Sequence, residues 1–219
     1  MKFIVVGDSV SMPRPEIGLT FEDTYAGILD GKGMKSYLYA CYGSDRVKTR
    51  KEHFCKILPY LKNERYDFAI LHIGIVDCAP RVIPLWMRTL LGGFPALIKK
   101  HAVSLLHNNR STIMKIHSFR YASPEEYANY ISWFVASLLS ISKTVIIIGI
   151  APIPPSLEEH SPGLSKSIKE YNDILRITSF LYGTMIIDPP EGAEHLTLDA
   201  HITKTGHQFI ADRIESIVK

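Results

Sequence analysis

Residues 1–11 read Met-Lys-Phe-Ile-Val-Val-Gly-Asp-Ser-Val-Ser. The apolar, β-branched run from Phe3 to Val6 is closed by Gly7, and this pattern predicts a fully buried strand of a parallel sheet. Ser9 follows directly after the strand, at the edge where open α/β sheets bind their ligands. A serine held there is a candidate nucleophile, although an Asp-Ser pair after glycine also suits an ordinary turn.

Four further strands, alternating with helices, are predicted along the rest of the chain. The strands are expected at residues 36–41, 66–73, 144–149 and 184–187. Five strands joined by right-handed helical crossovers give an α/β fold, a three-layer α/β/α sandwich of flavodoxin-like type around a five-stranded parallel sheet. A chain of 219 residues that is 46% hydrophobic is ample for one such domain, spanning residues 1–219.

The helices between the strands carry recognisable start signals. Thr20 is predicted to cap the first helix, Ser44 the second, Ser123 the third and Thr203 the last. The second helix is expected to turn Val47 and Phe54 towards the sheet and its charged residues mostly away from it. That set contains Arg46, Lys48, Arg50, Lys51 and Glu52.

Residues 80–122 interrupt the regular alternation and form a predicted helical insertion. The segment combines apolar residues such as Trp86 and Phe94 with basic ones such as Arg81 and Arg88. Insertions of this length after a strand usually form a lid, a specificity element or an interface. We therefore expect either extra helices packed on the core or a lid over the site; a membrane-surface role and a homo-oligomer interface are weaker alternatives.

Composition excludes several classes of protein. The formal net charge of +3 is small, so nucleic acid is not an expected partner. No uninterrupted apolar stretch reaches the roughly 18 residues of a membrane span, and the first strand begins too early for a cleavable signal segment to precede it. Cys41, Cys55 and Cys78 match no zinc or disulfide spacing, which indicates reduced thiols in a cytoplasmic protein.

A histidine near the carboxyl end supplies a candidate base. Residues 198–207 read Leu-Asp-Ala-His-Ile-Thr-Lys-Thr-Gly-His. His201 lies after the fifth strand and before the last helix, so it should reach the same sheet edge as Ser9. An imidazole with a pKa near neutrality can take the proton of an attacking serine and return it to the leaving group. His207, four positions into the helix, is expected to pack or to be solvated.

Four blocks of the sequence resemble, in order and spacing, those of the SGNH (GDSL-type) hydrolases. They are Gly7-Asp-Ser-Val, Gly43, Gly74-Ile-Val-Asp77 and residues 199–207. The resemblance spans essentially the whole chain. It implies Ser9 as nucleophile, His201 as general base, and the backbone N–H groups of Ser9 and Gly43 as oxyanion donors. It also implies that neither a metal nor another cofactor is needed.

Two positions depart from that family's pattern. The third block usually carries an asparagine that donates to the oxyanion, and Val76 stands there instead. Asn108, Asn109 or His72 could replace that donor. The family's aspartate lies three residues before the histidine, where this chain has Leu198.

The nearest acid to the histidine is Asp199, two residues before it. Asp199 either completes a triad through an altered turn or leaves a Ser-His dyad. Asp8 and Asp77 are expected to brace turns through hydrogen bonds, and together with Val76 and His72 to line the substrate site.

The leading hypothesis is therefore an SGNH-type carboxylic ester hydrolase that removes a small acyl group, such as acetyl, from a carbohydrate or glycan precursor through an acyl-enzyme. A lysophospholipase or thioesterase with residues 86–97 as an acyl-chain lid, and an acyltransferase with the same site, are alternatives. A different class of function, a catalytically weakened module that binds a glycan or a protein, would account for Val76 and the displaced aspartate. No dinucleotide fingerprint follows the first strand.

Overall fold

The computed structural model describes residues 1–40, 46–116 and 118–219. Its centre is a parallel sheet of five strands, and the prediction of an α/β sandwich is confirmed. The strands are β1 (Lys2–Gly7), β2 (Lys35–Ala40), β3 (Phe68–His72), β4 (Val145–Ile148) and β5 (Met185–Ile187). Their order in the sheet is β2-β1-β3-β4-β5, with Val5 beside Ile70 and Ile70 beside Ile146. The Ile/Val runs at the centre are buried on both faces, as parallel sheets require.

Two layers of helices cover the sheet. One face packs against α2 (Val47–Leu61), α7 (Pro124–Leu139) and α9 (Leu164–Tyr182), and the other against α1 (Tyr25–Gly31) and α10 (Lys204–Val218). The capping box of Ser123 starts α7, and Thr203 caps α10 through Gly206 N–H, both as predicted. A short helix, α8 (Pro155–His160), follows the irregular segment 151–154 after β4.

Two sequence predictions about helices are wrong in detail. The first helix begins after Thr24, whose hydroxyl accepts a hydrogen bond from Gly27 N–H; Thr20 instead bonds Asp23 in the preceding turn. In the second helix, Arg50 is not on the solvent face but is buried to 1% exposure. Its guanidinium donates to the carbonyl of Gly7, so the arginine is drawn inward by a polar partner at the end of β1. The predicted cap Ser44 lies outside the described residues.

Between β3 and α7 the chain makes a helical excursion that is pinned at its base. The helix α3 (Ile75–Cys78) comes before the excursion, which consists of α4 (Leu85–Gly92), α5 (Ala96–Asn108) and α6 (Arg110–Ile116) within residues 80–122. An antiparallel bridge closes the excursion, with Arg81 N–H donating to Phe119 O at 2.7 Å and Phe119 N–H returning to Arg81 O at 2.9 Å. The excursion therefore begins and ends at one point of the domain. Within the described ranges, no helix has the length and apolar character needed to cross a bilayer.

Candidate active site

The turn after β1 is held in place by the buried carboxylate of Asp8. Its Oδ1 accepts from Val10 N–H at 3.1 Å and its Oδ2 from Gly74 N–H at 3.3 Å, while its own N–H donates to His72 O at 3.1 Å. Ser9 begins a single 3-10 turn that Asp8 caps. A side chain at Gly7 would meet Ser11 Oγ at 2.0 Å, so the tight turn needs glycine there. These bonds fix the Ser9 turn to the end of β3.

Beneath the turn, two buried carboxylates share one buried cation. Asp8 and Asp77 are each 1% exposed, and Arg50 is equally buried. Burial raises the pKa of Asp77 to about 7. The hydrogen bond from Val47 N–H at 2.9 Å and the charge of Arg50 favour the ionised form, but they do not offset the effect of burial. Burial likewise raises the pKa of Asp8, opposed first by Arg50. Asp77 thus holds the start of α2 against α3, and its carboxylate faces the interior.

The raised pKa of Asp77 predicts a stability that falls as the pH rises. Between the unfolded value near 4 and the folded value of about 7, the folded chain keeps a proton that the unfolded chain has lost. The free energy of unfolding should therefore decrease by a few kcal/mol across this window from Asp77 and Asp8 together. Asp77→Asn keeps an acceptor for Val47 N–H and should flatten the decrease, as measured by urea unfolding at pH 4 to 8. An unchanged slope in Asp77→Asn, or the same flattening in the control Asp212→Asn, would contradict this cause.

The turn before α10 brings Asp199 to His201. Asp199 Oδ2 lies 2.9 Å from His201 Nδ1, but the carboxylate is off the direction of a ring N–H, so the two groups are in close contact without an aligned hydrogen bond. Thr197 Oγ1 donates to the other carboxylate oxygen and also accepts from His201 N–H at 3.0 Å. Burial raises the pKa of Asp199, but the Thr197 hydrogen bond and the charges of His201 and Arg14 outweigh it and lower the pKa overall.

The spacing of two residues between acid and base depends on the residue between them. Ala200 has φ of +61°, the left-handed conformation that costs a non-glycine residue about 1 kcal/mol. Its N–H donates to Thr197 O at 2.9 Å, which closes the turn. Leu198, at the position where the resemblance would place the acid, points into solvent with 81% exposure. This turn therefore brings Asp199, and not residue 198, close to His201.

A small cavity lies where the turns after β1 and β3 meet the segment before α10, and it is lined by neighbours of Ser9 and His201 but not by these two residues themselves. Its lining includes Val10 after β1, Gly74 and Ile75 after β3, and Ala200 and Ile202 before α10. Its volume of about 10 Å³ has room for roughly one water-sized group. The carboxyl ends of β1 and β3 and the segment before α10 therefore meet around one small, mostly apolar space.

The sequence also suggested Gly43, Val76, Asn108, Asn109 and His72 as residues of the site or donors to the oxyanion. Gly43 lies outside the described residues. Val76 is nearly buried and accepts from Arg81 through its carbonyl at 3.2 Å. Asn109 donates its amide to Leu105 O within the insertion, and neither it nor Asn108 borders the small cavity, whereas His72 does. Among the described residues, no group of three or more His, Cys, Asp and Glu side chains is placed to hold a metal ion.

Behind the cavity, two buried histidines flank Tyr25. His72 Nδ1 lies 3.4 Å from the Tyr25 hydroxyl, and Tyr25 N–H donates to His207 Nδ1 at 3.2 Å. Burial lowers the pKa of His72 to about 3 and that of His207 to about 4, so both rings are neutral. His207 therefore packs, which is one of the two outcomes that the sequence suggested.

Sequence reasoning missed three contributors to this region: Arg50, Thr197 and Arg14. Arg14 lies 3.8 Å from the Asp199 carboxylate. The local sequence gives no sign of these contacts. Arg50 stands in a helix of mixed charge and Arg14 between two prolines, and both have partners that are distant in sequence. Thr197 stands in an ordinary turn, although its partners are close to it in sequence.

No protein-family model matches the sequence, and no curated protein matches it either. Solved structures do match over nearly the whole chain. LAE5, an alpha/beta hydrolase enzyme from the metagenome of Lake Arreo, is 18% identical with a TM-score of 0.64, covering 99% of this chain and 94% of that one. A lipase/acylhydrolase from Enterococcus faecalis is 14% identical with a TM-score of 0.65, covering 100% and 96%. Axe2, an acetylxylan esterase from Geobacillus stearothermophilus, is 14% identical with a TM-score of 0.61, covering 99% and 93%.

These likenesses concern the fold. The chain has the fold of the SGNH/GDSL-type hydrolases, which confirms the resemblance seen in its four sequence blocks at that level.

Proposed function

We propose that this protein is a serine-dependent carboxylic ester hydrolase with Ser9 as nucleophile, His201 as general base and Asp199 as the acid that orients His201. The observation that carries the proposal is the 2.9 Å approach of Asp199 Oδ2 to His201 Nδ1, in a turn that shares one small cavity with the turn of Ser9. The hydrolase fold of the structural neighbours supports it.

In the proposed reaction, Ser9 Oγ attacks the ester carbonyl while His201 takes the hydroxyl proton. The carbonyl oxygen gains negative charge, and we assign the backbone N–H of Ser9 as a donor to it; the family resemblance implies Gly43, which lies outside the described residues, as the second donor. Collapse of the tetrahedral intermediate breaks the bond to the alcohol, which leaves with the proton from His201. Water then attacks the acyl-enzyme by the same steps and releases the acid and free Ser9. Asp199 stabilises the imidazolium that forms in both halves.

The size of the cavity favours a small acyl group. Space for about one water-sized group accommodates the methyl of an acetyl ester, whereas a long chain would have to leave the cavity. Axe2 is an acetylxylan esterase, and this likeness supports an acetylated carbohydrate as the substrate class. Val76 supplies no side-chain donor to the oxyanion, so we expect a slower enzyme than one with a third donor there.

The test is intact-mass spectrometry after incubation with a fluorophosphonate. The wild type should gain one phosphonyl adduct, which Ser9→Ala abolishes and His201→Ala slows strongly, since only an activated serine reacts this way. Ser11→Ala is the matched control, because Ser11 is buried and bonded to Asp8 O at 2.8 Å. A folded wild type that gains no adduct would overturn the proposal and favour a binding protein.

A further inference from the structure

The helical excursion carries a charge distribution unlike that of the rest of the chain. Residues 80–122 contain seven Lys and Arg and no Asp or Glu, whereas the whole chain has 25 basic and 22 acidic residues. The remaining residues therefore have a net charge of −4 by the same count. The small net charge of the protein hides one strongly cationic segment, and an anion is the ligand that such a segment attracts.

Four of these cations border one cavity of about 580 Å³, a volume typical of a small-molecule site. They are Arg81, Arg88, Lys99 and Arg110. Among the described residues, no carboxylate forms an ion pair with any of the four. Burial and the charge of Arg81 both lower the pKa of Arg110. Like charges gathered in a partly buried space are unfavourable unless a counter-charge enters it.

The arginines are positioned by neutral groups. The Arg81 guanidinium stacks 4.6 Å from the centre of the Tyr121 ring, whose hydroxyl accepts from Arg88. Arg110 donates to His160 O at 3.0 Å and to Ser161 Oγ at 2.9 Å. Arg81 Nε is buried with no hydrogen-bond partner among the described residues. The positive charges are thus held in place while their own charge stays uncompensated, which suits an incoming anion.

The remaining walls of this cavity are apolar. They consist of Val82, Ile83, Leu91, Val103 and Leu106, together with Gly92 and the ring of Tyr121. The nearby surface of the same helices is apolar as well, with Trp86 60%, Leu90 59% and Leu97 71% exposed. Exposed apolar side chains clustered beside a pocket mark a place where an apolar ligand enters or docks.

From the cations and the apolar walls together, we propose that the cavity between α4, α5 and the base of the excursion binds an anionic amphiphile, a single hydrocarbon chain with a phosphate or carboxylate head. The head lies against the arginines and the chain against the apolar wall. The site shares no lining residue with the small cavity bordered by Val10 and Ala200, and the proposal does not depend on the proposed esterase activity.

The test is isothermal titration calorimetry of the wild-type protein with dodecyl phosphate below its micelle concentration. This ligand contains no carboxylic ester, so binding is measured without turnover. Dodecyl maltoside, with the same chain and no charge, and inorganic phosphate, with no chain, should each bind at least about tenfold more weakly. Comparable binding of dodecyl maltoside would overturn the proposal. Dodecanoate tests the head group: either order of affinity between it and dodecyl phosphate supports the site and assigns its anion.

Variants locate the site. Arg88→Gln/Arg110→Gln should weaken dodecyl phosphate binding by about tenfold or more, since charged hydrogen bonds are the strong ones. The control is Lys48→Gln/Lys56→Gln on α2, which removes the same charge from another exposed surface. Val103→Ser, at a half-exposed position that should not affect folding, should weaken dodecyl phosphate but not inorganic phosphate. Equal losses in the control, or binding only to vesicles of anionic lipid and not to the monomeric ligand, would overturn the proposal.

Discussion

His201→Ala is expected to lower kcat for hydrolysis of 4-nitrophenyl acetate by about 10⁴-fold, and Ser9→Ala by at least as much, because each removes one half of the proton-transfer pair. Neither change should alter the melting temperature by more than a few degrees, since the His201 side chain is 22% exposed and Ser9 is only half-buried. Asp199→Asn keeps the shape but removes the charge that stabilises the imidazolium. We expect a smaller loss of about 10²-fold, because the 60% exposed carboxylate is screened by water.

The control for Asp199→Asn is Asp212→Asn, which removes a surface carboxylate paired with Lys32 and should leave kcat unchanged. A His201→Ala enzyme with more than a tenth of the wild-type kcat would show that another group acts as the base. If Asp199→Asn lowers kcat no more than Asp212→Asn does, the result would show that the enzyme works with a Ser-His dyad and that Asp199 is not a member of the catalytic set.

Arg50→Met is expected to destabilise the fold by about 3–5 kcal/mol, the usual cost of removing one partner from a buried set of charges. The substitution leaves Asp8 and Asp77 buried without their cation and the Gly7 carbonyl without its guanidinium donor. In thermal unfolding, this loss corresponds to a fall in melting temperature of roughly 10 °C for a chain of this size. The matched control Arg213→Met, on the exposed face of α10, should change it little.

A second experiment distinguishes the loss of the Arg50 charge from the loss of its packing contacts. If the loss arises from the unpaired carboxylates, then Arg50→Met combined with Asp8→Asn and Asp77→Asn should be more stable than Arg50→Met alone. Additive destabilisation by the three substitutions, or a melting temperature of Arg50→Met within two degrees of the wild type, would contradict a charge-based origin of the loss.

The elements that sequence predicted well are those with strong local causes. The strand that ends at Gly7, the Ile/Val strand that ends at Ile148 just before Gly149, and the helix caps Ser123 and Thr203 each depend on neighbouring residues, and the structure contains all of them. The positions that sequence misjudged depend on distant partners. Arg50 is recognisable as a core residue only once β1 has brought the Gly7 carbonyl beside it.

The same distinction between local and distant causes applies to the candidate active site. The turns of Ser9 and His201 could be assigned to one edge from strand order alone, because parallel strands end on the same side of a sheet. The reach of Asp199 could not be assigned, since it depends on the backbone conformation of Ala200. The sequence also could not predict that four cations of the excursion border one cavity, because this depends on how α4 and α5 pack in three dimensions.

Ala200 has a left-handed backbone conformation, and the spacing of two residues between Asp199 and His201 depends on it. The spacing therefore restricts which residue types can stand between the acid and the base. An insertion of one residue before His201 would let the acid sit three positions away with an ordinary backbone, whereas this shorter turn accepts only residues that tolerate positive φ, such as alanine, asparagine and glycine. Relatives of this chain with the acid at the shorter spacing should therefore avoid valine, isoleucine and threonine between the two residues. A search pattern for such proteins should allow Asp-X-His with a small X beside the longer spacing.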